Sequence, residues 1–320
     1  MKLTKGIRVY GVPGLVVIPF FFLLIFTSYL FASEKPSYVW VRSVTEKLSA
    51  PTAVAVDSDE NLYVVESSSN ALYVYSREGR YKKRLTGLSK PLSVAVDERG
   101  RVFVGNAGRG NVEVYGGDLK LLFKLGAGDG EFLLPGAIAI DSTGSIFVAD
   151  GKDNKIKVYT AEGAYRSSLG EDGTLHFPTS IAINKISGEL IITDLPVVQT
   201  KEGPIEGARI QIFDAEGGLR RSFGDSGQGE GKLTKPMGVA ADTSGKIYVT
   251  DSYQNVVQIF DSNGKSLGSL FDPQNPYRTP LGIAISDRDI AFIASLNAGK
   301  VEVYYLSYKK ASAMRSGKNK

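Results

Sequence analysis

Short apolar runs, β-branched or aromatic, recur along this chain between clusters of Gly, Asn and Asp. IFVAD (146–150) and IKVYT (156–160) are typical. Runs of this length with such boundaries predict strands rather than helices. The runs are themselves ordered. A Pro-headed run ends in Asp, a Gly turn follows, a second run ends in an acid or amide, and a third run leads to another turn. The fullest copy is KPMGVAADTSGKIYVTDSYQNVVQIFDSNG (235–264), and other copies begin at 50, 90, 134, 177 and 279. The leading prolines are Pro51, Pro91, Pro135, Pro178, Pro236 and Pro280, so successive steps are 40, 44, 43, 58 and 44 residues. A period in this range marks an array of supersecondary units. Proline suits the head of a strand, where its missing N–H breaks no ladder bond. Asp-Ser-Thr-Gly (141–144) and Asn263-Gly264 supply tight-turn chemistry.

Each unit holds three clear strands and a fourth such as AYRSSLG (164–170). A four-stranded antiparallel sheet cannot bury both faces alone, whereas six arranged radially can. The expected fold is therefore an all-β, six-bladed β-propeller. The sixth unit has its third strand at KVEVYYL (300–306) and no convincing fourth, while YVWVRSV (38–44) precedes the first unit without one of its own. The N-terminal strand is expected to complete blade six and close the ring, removing an exposed edge. The stretches SFGDSGQGEGKLTKPMGVAADTSGKIYVTDSYQNVVQIFD (222–261) and LGAGDGEFLLPGAIAIDSTGSIFVADGKDNKIKVY (125–159) resemble NHL repeats, and the resemblance covers roughly residues 38–306. Asn184 and Ser286 depart from the pattern at its first Asp position, as do Asn106 and Ser295 at its second. The resemblance implies a propeller and no particular function.

The segment before the repeats has a different character. Lys2, Lys5 and Arg8 precede a stretch, 9–33, with no charge and VVIPFFFLLIF at its centre. This predicts a membrane anchor or signal segment over 1–33, with residues 12–32 long enough to span a bilayer. Leu30 is a poor residue three positions back from a cut after Ala32, so an uncleaved transmembrane helix is expected, with a cleaved signal as the alternative. The basic flank would hold the N-terminus in the cytoplasm and export the propeller (34–308) to the cell envelope. Net charge is +4, of which residues 1–33 carry +3 and the basic tail 309–320 carries +5, leaving −4 for the propeller. The basic balance thus gives no reason to expect a nucleic-acid-binding domain. RYKKRL (80–85), the one dense basic run within the repeats, reads as the solvated face of an outer strand. The tail reads as a disordered solubilising end. The lone Trp40 and the Tyr and Phe residues read as core and inter-blade packing.

Candidate chemistry is sparse. Without cysteine, disulfides, thiolate metal sites and cysteine nucleophiles are excluded, and a single histidine, His176, excludes a His-rich zinc site. That departs from the zinc-binding amidating lyases with NHL repeats. Lactonase-like propellers set an acidic metal ligand beside the proline that enters the channel. Here the residues before the prolines (Ala50, Lys90, Leu134, Phe177, Lys235, Thr279) and after them (Thr52, Leu92, Gly136, Thr179, Met237, Leu281) include no carboxylate. The acidic series Asp57, Asp97, Asp141 and Asp242 reads as turn chemistry. The series closing strand two (Glu66, Asn106, Asp150, Asp194, Asp251, Ser295), followed four residues on by Asn70, Asn154 and Asn255, reads as side chains capping their own loops. The links between strands two and three and the blade-to-blade links fall on one face, which also receives the long segments 126–132, 170–176, 195–208, 224–234 and 271–279. Function concentrates in long loops on a rigid frame. The expectation is a non-enzymatic scaffold with no catalytic residues, metal or cofactor. It would bind a protein or envelope polymer on this face through Arg109, Lys152, Tyr253 and Gln254, with Lys201 and Glu202 from the insertion at 195–208. The alternative is a lactonase-like or other metal-dependent hydrolase working in the central channel.

Overall fold

The computed structural model describes residues 37–307 apart from 127, 171, 172, 201 and 202. The expected membrane segment and basic tail, and with them Lys201 and Glu202, lie outside the described residues. Among the described residues, no helix is long and apolar enough to cross a membrane. The chain opens with β1 (Ser37–Val44). Blade one is β2 (Pro51–Val56), β3 (Leu62–Glu66), β4 (Ala71–Tyr75) and β5 (Tyr81–Leu85). Blade two is β6 (Pro91–Val96), β7 (Val102–Asn106), β8 (Asn111–Tyr115) and β9 (Leu121–Leu125). Blade three is β10 (Pro135–Ile140), β11 (Ile146–Asp150), β12 (Lys155–Tyr159) and β13 (Tyr165–Leu169). Blade four begins with β14 (Pro178–Ile183) and β15 (Leu190–Asp194). After a separate hairpin, β16 (Val197–Thr200) and β17 (Gly203–Glu206), it resumes with β18 (Arg209–Phe213) and β19 (Leu219–Phe223). Blade five is β20 (Pro236–Ala241), β21 (Ile247–Asp251), β22 (Val256–Phe260) and β23 (Ser266–Leu270), and blade six supplies β24 (Pro280–Ile285), β25 (Ile290–Ser295) and β26 (Lys300–Ser307).

Six four-stranded antiparallel sheets result, and the sixth has the order β1-β26-β25-β24. The N-terminal strand is its outermost member, in register from Ser37↔Ser307 to Val44↔Val301 with a bulge between Trp40 and Arg42. The ring therefore closes as the strand count requires. Each inner strand lies beside the next blade's inner strand, and β24 returns to β2.

Burial follows from this stacking. Second strands are sandwiched between neighbouring blades, so all five residues of β3, β7, β11, β15 and β21 are buried. Outer strands are open on one side and alternate, as Tyr81–Leu85 does. Six apolar clusters fill the six gaps. The one sealing the ring packs Val44, Phe292, Ala294, Val301 and Val303 against Val54, Leu62, Val64, Tyr73 and Tyr75. Most large aromatics behave as the sequence suggests, with Tyr75, Tyr159, Tyr248, Tyr304, Phe103 and Phe213 fully buried. Trp40 does not. It is 41% exposed on the outer edge of blade six, its indole Nε1 donating to Glu302 at 2.9 Å. The reason is radial: blades diverge outward, so a side chain on the outermost strand has little to pack against.

The tight turns behave as read. Asp57 Oδ1 accepts the N–H groups of Asp59 and Asn61 at 3.0 and 2.8 Å, and Asp97, Asp141 and Asp242 make the same pair of bonds in their blades. Asn70, Asn154 and Asn255 take the left-handed conformation, with φ of 49°, 58° and 57°. Asn tolerates that region better than most residues, which explains its recurrence at this position.

Candidate functional site

The inner strands surround a cavity of about 360 Å³ on the ring axis. Its wall repeats the three residues after each leading proline, which gives three stacked rings. The first is Thr52, Leu92, Gly136, Thr179, Met237 and Leu281. The second, Ala53, Ser93, Ala137, Ser180, Gly238 and Gly282, contains only small residues. The third, Val54, Val94, Ile138, Ile181, Val239 and Ile283, contains only branched aliphatics. Leu134, Gly151 and Phe177 complete the lining at the mouth, and Leu133 beside them is 60% exposed. Among the described residues the wall carries no ionisable side chain, and its polar side-chain groups are the hydroxyls of Thr52, Ser93, Thr179 and Ser180. Three of these are engaged: Thr52 Oγ1 donates to Val65 O at 3.4 Å, Thr179 bonds Thr193 at 2.8 Å and Pro236 O at 3.0 Å, and Ser180 Oγ accepts from Val239 N at 3.2 Å.

The residues closing strand two do more than cap their own loops. Asp150 accepts Leu133 N and Leu134 N at 2.8 and 2.7 Å. Asp194 accepts His176 N and Phe177 N, both at 2.9 Å, and Glu66 accepts Ser49 N and Ala50 N. These are the two residues that precede each leading proline, so the carboxylate latches the segment by which the chain enters the blade. Asp251 both latches and caps. It accepts Thr234 N at 2.7 Å and Lys235 N at 3.3 Å from the entry segment, and Tyr253 N and Gln254 N at 3.1 and 3.0 Å from its own loop. Beside each latch, the residue after the series donates its N–H to the carbonyl before the proline, as in Gly151 to Leu134 at 3.2 Å and Ser252 to Lys235 at 3.0 Å. Where the series departs to Asn106 or Ser295, one acceptor remains and one N–H is held, from Ser89 at 2.7 Å and Arg278 at 2.8 Å. All six members are buried and spent on architecture. Among the described residues, no group of His, Cys, Asp or Glu could hold a metal ion.

A second polar layer escaped the sequence reading. The middle residue of strand three is buried and polar in five blades: Glu113, Lys157, Gln211, Gln258 and Glu302. Each ties its blade to a loop or an adjoining strand. Gln211 Nε2 donates to Thr174 O and Asp194, Gln258 Nε2 to Gly229 O, and Lys157 pairs with Asp150 at 3.2 Å. The signal was visible as one polar residue in the centre of NVEVY, KIKVY, RIQIF, VVQIF and KVEVY. Burial by itself raises the Glu113 carboxyl. Hydrogen bonds from Tyr115, Lys124 and Arg109 outweigh that and hold it below the usual carboxylate range. A lowered folded-state pKa stabilises the fold above the unfolded-state value, and this contribution is lost as pH falls through the lowered folded value. Glu113→Gln is therefore expected to flatten the acid limb of the stability curve below about pH 4.5. Urea unfolding measured at several pH values checks this, and an unchanged slope would contradict it.

Of the six residues expected to bind on the long-loop face, the four that are described are spread round its rim. Arg109 belongs to blade two, Lys152 to blade three, and Tyr253 and Gln254 to blade five. Arg109 is committed to the fold: its guanidinium donates to Glu113 at 2.9 Å and to Gly87 O at 2.6 Å. Gln254 is committed as well, to Gly229 N at 2.8 Å, Lys232 O at 3.0 Å and Asp251 at 3.0 Å. Tyr253 is 61% exposed and Lys152 is exposed. His176 lies 3.9 Å from Asp194, but that carboxylate already receives Arg209 at 2.8 Å and Gln211 at 2.9 Å, so the pair is no catalytic dyad. The insertion expected as a loop is a hairpin, closed at its base by Gly207 N donating to Pro196 O at 2.6 Å.

No protein-family model matches the sequence. The chain is similar to the Drosophila melanogaster protein brain tumor, 29% identical over 148 residues, which is 45% of this chain and 13% of that protein. It is also similar to Caenorhabditis elegans lin-41, 44% identical over 43 residues, which is 13% of this chain and 4% of that protein. Both are NHL-repeat proteins. The matched segments are thus a small part of these relatives. Solved structures share the fold. A gluconolactonase from Xanthomonas campestris has a TM-score of 0.66 at 15% identity, with 87% of this chain and 93% of that one covered. A streptogramin B lyase gives 0.60 at 12% identity, covering 86% and 99%. Virginiamycin B lyase from Staphylococcus aureus gives 0.57 at 13%, covering 85% and 100%. Sequence and fold together make the chain a six-bladed propeller whose repeats resemble those of NHL proteins.

Proposed function

We propose that this chain is an exported, membrane-anchored propeller that binds a protein, or an envelope polymer, on its long-loop face without catalysing a reaction. The observation carrying this reading is the axial cavity. Its wall is uncharged and its mouth apolar, which suits insertion of an apolar side chain and offers no carboxylate or imidazole to serve as acid, base or charged cation ligand. Exposed Phe177 and Leu133 at the mouth, Tyr253 on the rim and the β16–β17 hairpin offer a broad surface of the kind protein interfaces use. NHL propellers generally bind proteins, which fits the same kind of partner.

Excising 197–206 rejoins segments already bonded through Pro196 and Gly207, so the ring should survive. Combined with Tyr253→Ala and Phe177→Ala, the excision is expected to lower recovery of crosslinked envelope partners by roughly tenfold. Recovery equal to that of the unaltered chain would sink the assignment of this face. The hydrolytic alternative is prompted by the fold shared with a gluconolactonase and two lyases. It requires a cation held stoichiometrically by the purified chain, which metal analysis reads directly.

A further inference from the structure

The seam where blade six meets blade one breaks the repeat on the face opposite the long loops. The turn between β2 and β3 puts Glu60 in the left-handed conformation (φ 62°), where blades two, three and five have Gly100, Gly144 and Gly245. A long side chain held there at a cost in backbone strain invites a reason. The turn between β4 and β5 has Arg77, where blades two to five have Gly117, Ala161, Ala215 and Ser262. Arg42 comes to the same place from β1, on the other side of the seam. These three residues line a cavity of about 300 Å³ together with Val41, Glu78, Ile290 and Phe292. Architectural needs recur from blade to blade, so departures that converge on one cavity point to a local task.

Blade four holds the matching arginine differently. Arg221 pairs with Ile212 in β18 as Arg42 pairs with Val303 in β26, so the two arginines take the same place in their blades. Both cross to the next blade and donate through Nη2 to the carbonyl of its turn's second residue, Ser262 O and Arg77 O respectively. Arg221 is neutralised by Glu189, through Nη1 and Nη2 at 2.7 and 2.9 Å. The residue that matches Glu189 in blade six is Ile290, an aliphatic side chain. Arg42 therefore forms no ion pair with a described residue, and its Nε is buried without an acceptor. Burial lowers its pKa despite the fields of Glu78 and Glu60. Those two acids are already engaged. Glu60 receives Arg77 at 2.8 Å and Arg288 at 3.6 Å, and Glu78 receives Arg80 at 3.2 Å and the Ser76 hydroxyl at 2.8 Å. Arg42, Arg77, Arg80 and Arg288 against Glu60 and Glu78 leave an excess of two positive charges around the cavity.

We infer that this cavity is an anion site for a phosphoryl group, taken as inorganic phosphate or on a small phosphomonoester. Arginine forks match phosphoryl oxygens in geometry. A phosphoryl group carries close to two negative charges at neutral pH, which balances the excess. Bound there, it does for Arg42 what Glu189 does for Arg221, and it joins β1 to blade one across the seam. The site lies away from the long-loop face and does not depend on what that face binds.

Calorimetric titration of the full chain with inorganic phosphate, at an ionic strength fixed with sodium chloride, is expected to show one saturable site. Glycerol phosphate is the monoester probe and citrate the carboxylate probe. Ile290→Glu supplies the carboxylate that blade four has. It should weaken phosphate binding by roughly tenfold or more while the melting temperature stays at or above that of the parent. Arg42→Gln should weaken binding to a similar extent, and where one of the two variants fails to fold the other decides. Lys82→Gln, an exposed charge outside the cavity, should leave binding unchanged. Saturation that the cavity variants abolish upholds the site, and the tighter of the two phosphate probes names its source. Saturation that survives Ile290→Glu or Arg42→Gln puts the ion elsewhere and overturns the inference, as does a lack of saturation with both phosphate probes. An equal loss in Lys82→Gln reveals a diffuse charge effect and also overturns it. Citrate binding more tightly than either phosphate overturns the phosphoryl assignment.

Discussion

Asp251→Ala is expected to cost the propeller about 3 kcal/mol of unfolding free energy, lowering its melting temperature by roughly 6–10 °C. The Asp251 side chain is fully buried and accepts four backbone N–H groups, two from the chain entering blade five and two from its own loop, besides the Gln254 amide. Alanine leaves those donors without an acceptor and frees both segments together. A buried donor that loses its acceptor carries the desolvation penalty of an unmade bond. Asp251→Asn should fall between the two, since an amide oxygen can keep one donor, as Asn106 does with Ser89 in blade two. Asp261→Ala, in an exposed turn where the carboxylate accepts Asn263 N and Lys265 N, should cost less than about 1 kcal/mol. Thermal and urea unfolding of the three variants separate these cases. A melting point for Asp251→Ala within a degree or two of the parent would remove the latch from the account.

The second large effect is expected at Gly238, where a single methyl group should destabilise the ring by about 2–3 kcal/mol. Gly238 belongs to the ring of small residues in the axial wall. A Cβ there would come within 2.3 Å of Leu281 O and 3.0 Å of Thr250 Oγ1. The Thr250 hydroxyl sits between the blades, receiving Gly238 N at 2.8 Å and donating to Leu281 O at 2.6 Å. The added atom therefore strikes the backbone of blade six and the hydroxyl that joins the two blades. Since the obstacle is backbone, no side chain can swing away. Gly282→Ala should behave alike, its Cβ meeting Ala53 Cα at 2.7 Å across the closure between blades six and one. Gly136→Ala is the control: its nearest neighbour would be Ala149 O at 3.3 Å, a contact that a small shift relieves. Equal melting points for Gly238→Ala and Gly136→Ala would refute the close-approach explanation.

The sequence carried the repeat, the blade order and the ring closure because each is written as periodicity. A proline heads every inner strand, Asp and Gly mark most of the turns, and YVWVRSV was one strand too many at one end where the other end had one too few. Partnerships were less legible. Arg109 and Gln254 read as free polar groups on a rim, but Glu113, Gly87, Gly229 and Lys232 occupy them, and nothing in a linear pattern announces a partner across a hairpin or a linker. The latch was half seen for the same reason: the acceptors were recognised and their second set of donors, sixteen or seventeen residues upstream, was not. Trp40 misled because large aromatics are usually buried, a tendency that weakens on the outermost strand of a diverging blade. The axial mouth was readable in the residues flanking the prolines, where a search for carboxylates left the apolar character of Leu134, Phe177 and Met237 unused.

The closure of blade six also has a meaning in time. β1 is the first strand of the propeller to be synthesised and β26 the last, and Trp40 bonds Glu302 across a separation of 262 residues. Contacts so distant in sequence form late, since the intervening chain must be ordered before they can be made. Until β26 arrives, β1 has no partner, and the faces of blades one and six that meet at the seal stay open. A chain truncated anywhere before Lys300 keeps its first strand unpaired and its ring unsealed, however well its other blades have folded. The seal thus makes completion of the chain a condition for finishing the fold, and it leaves every unfinished copy marked by exposed apolar surface that quality-control proteases and chaperones recognise.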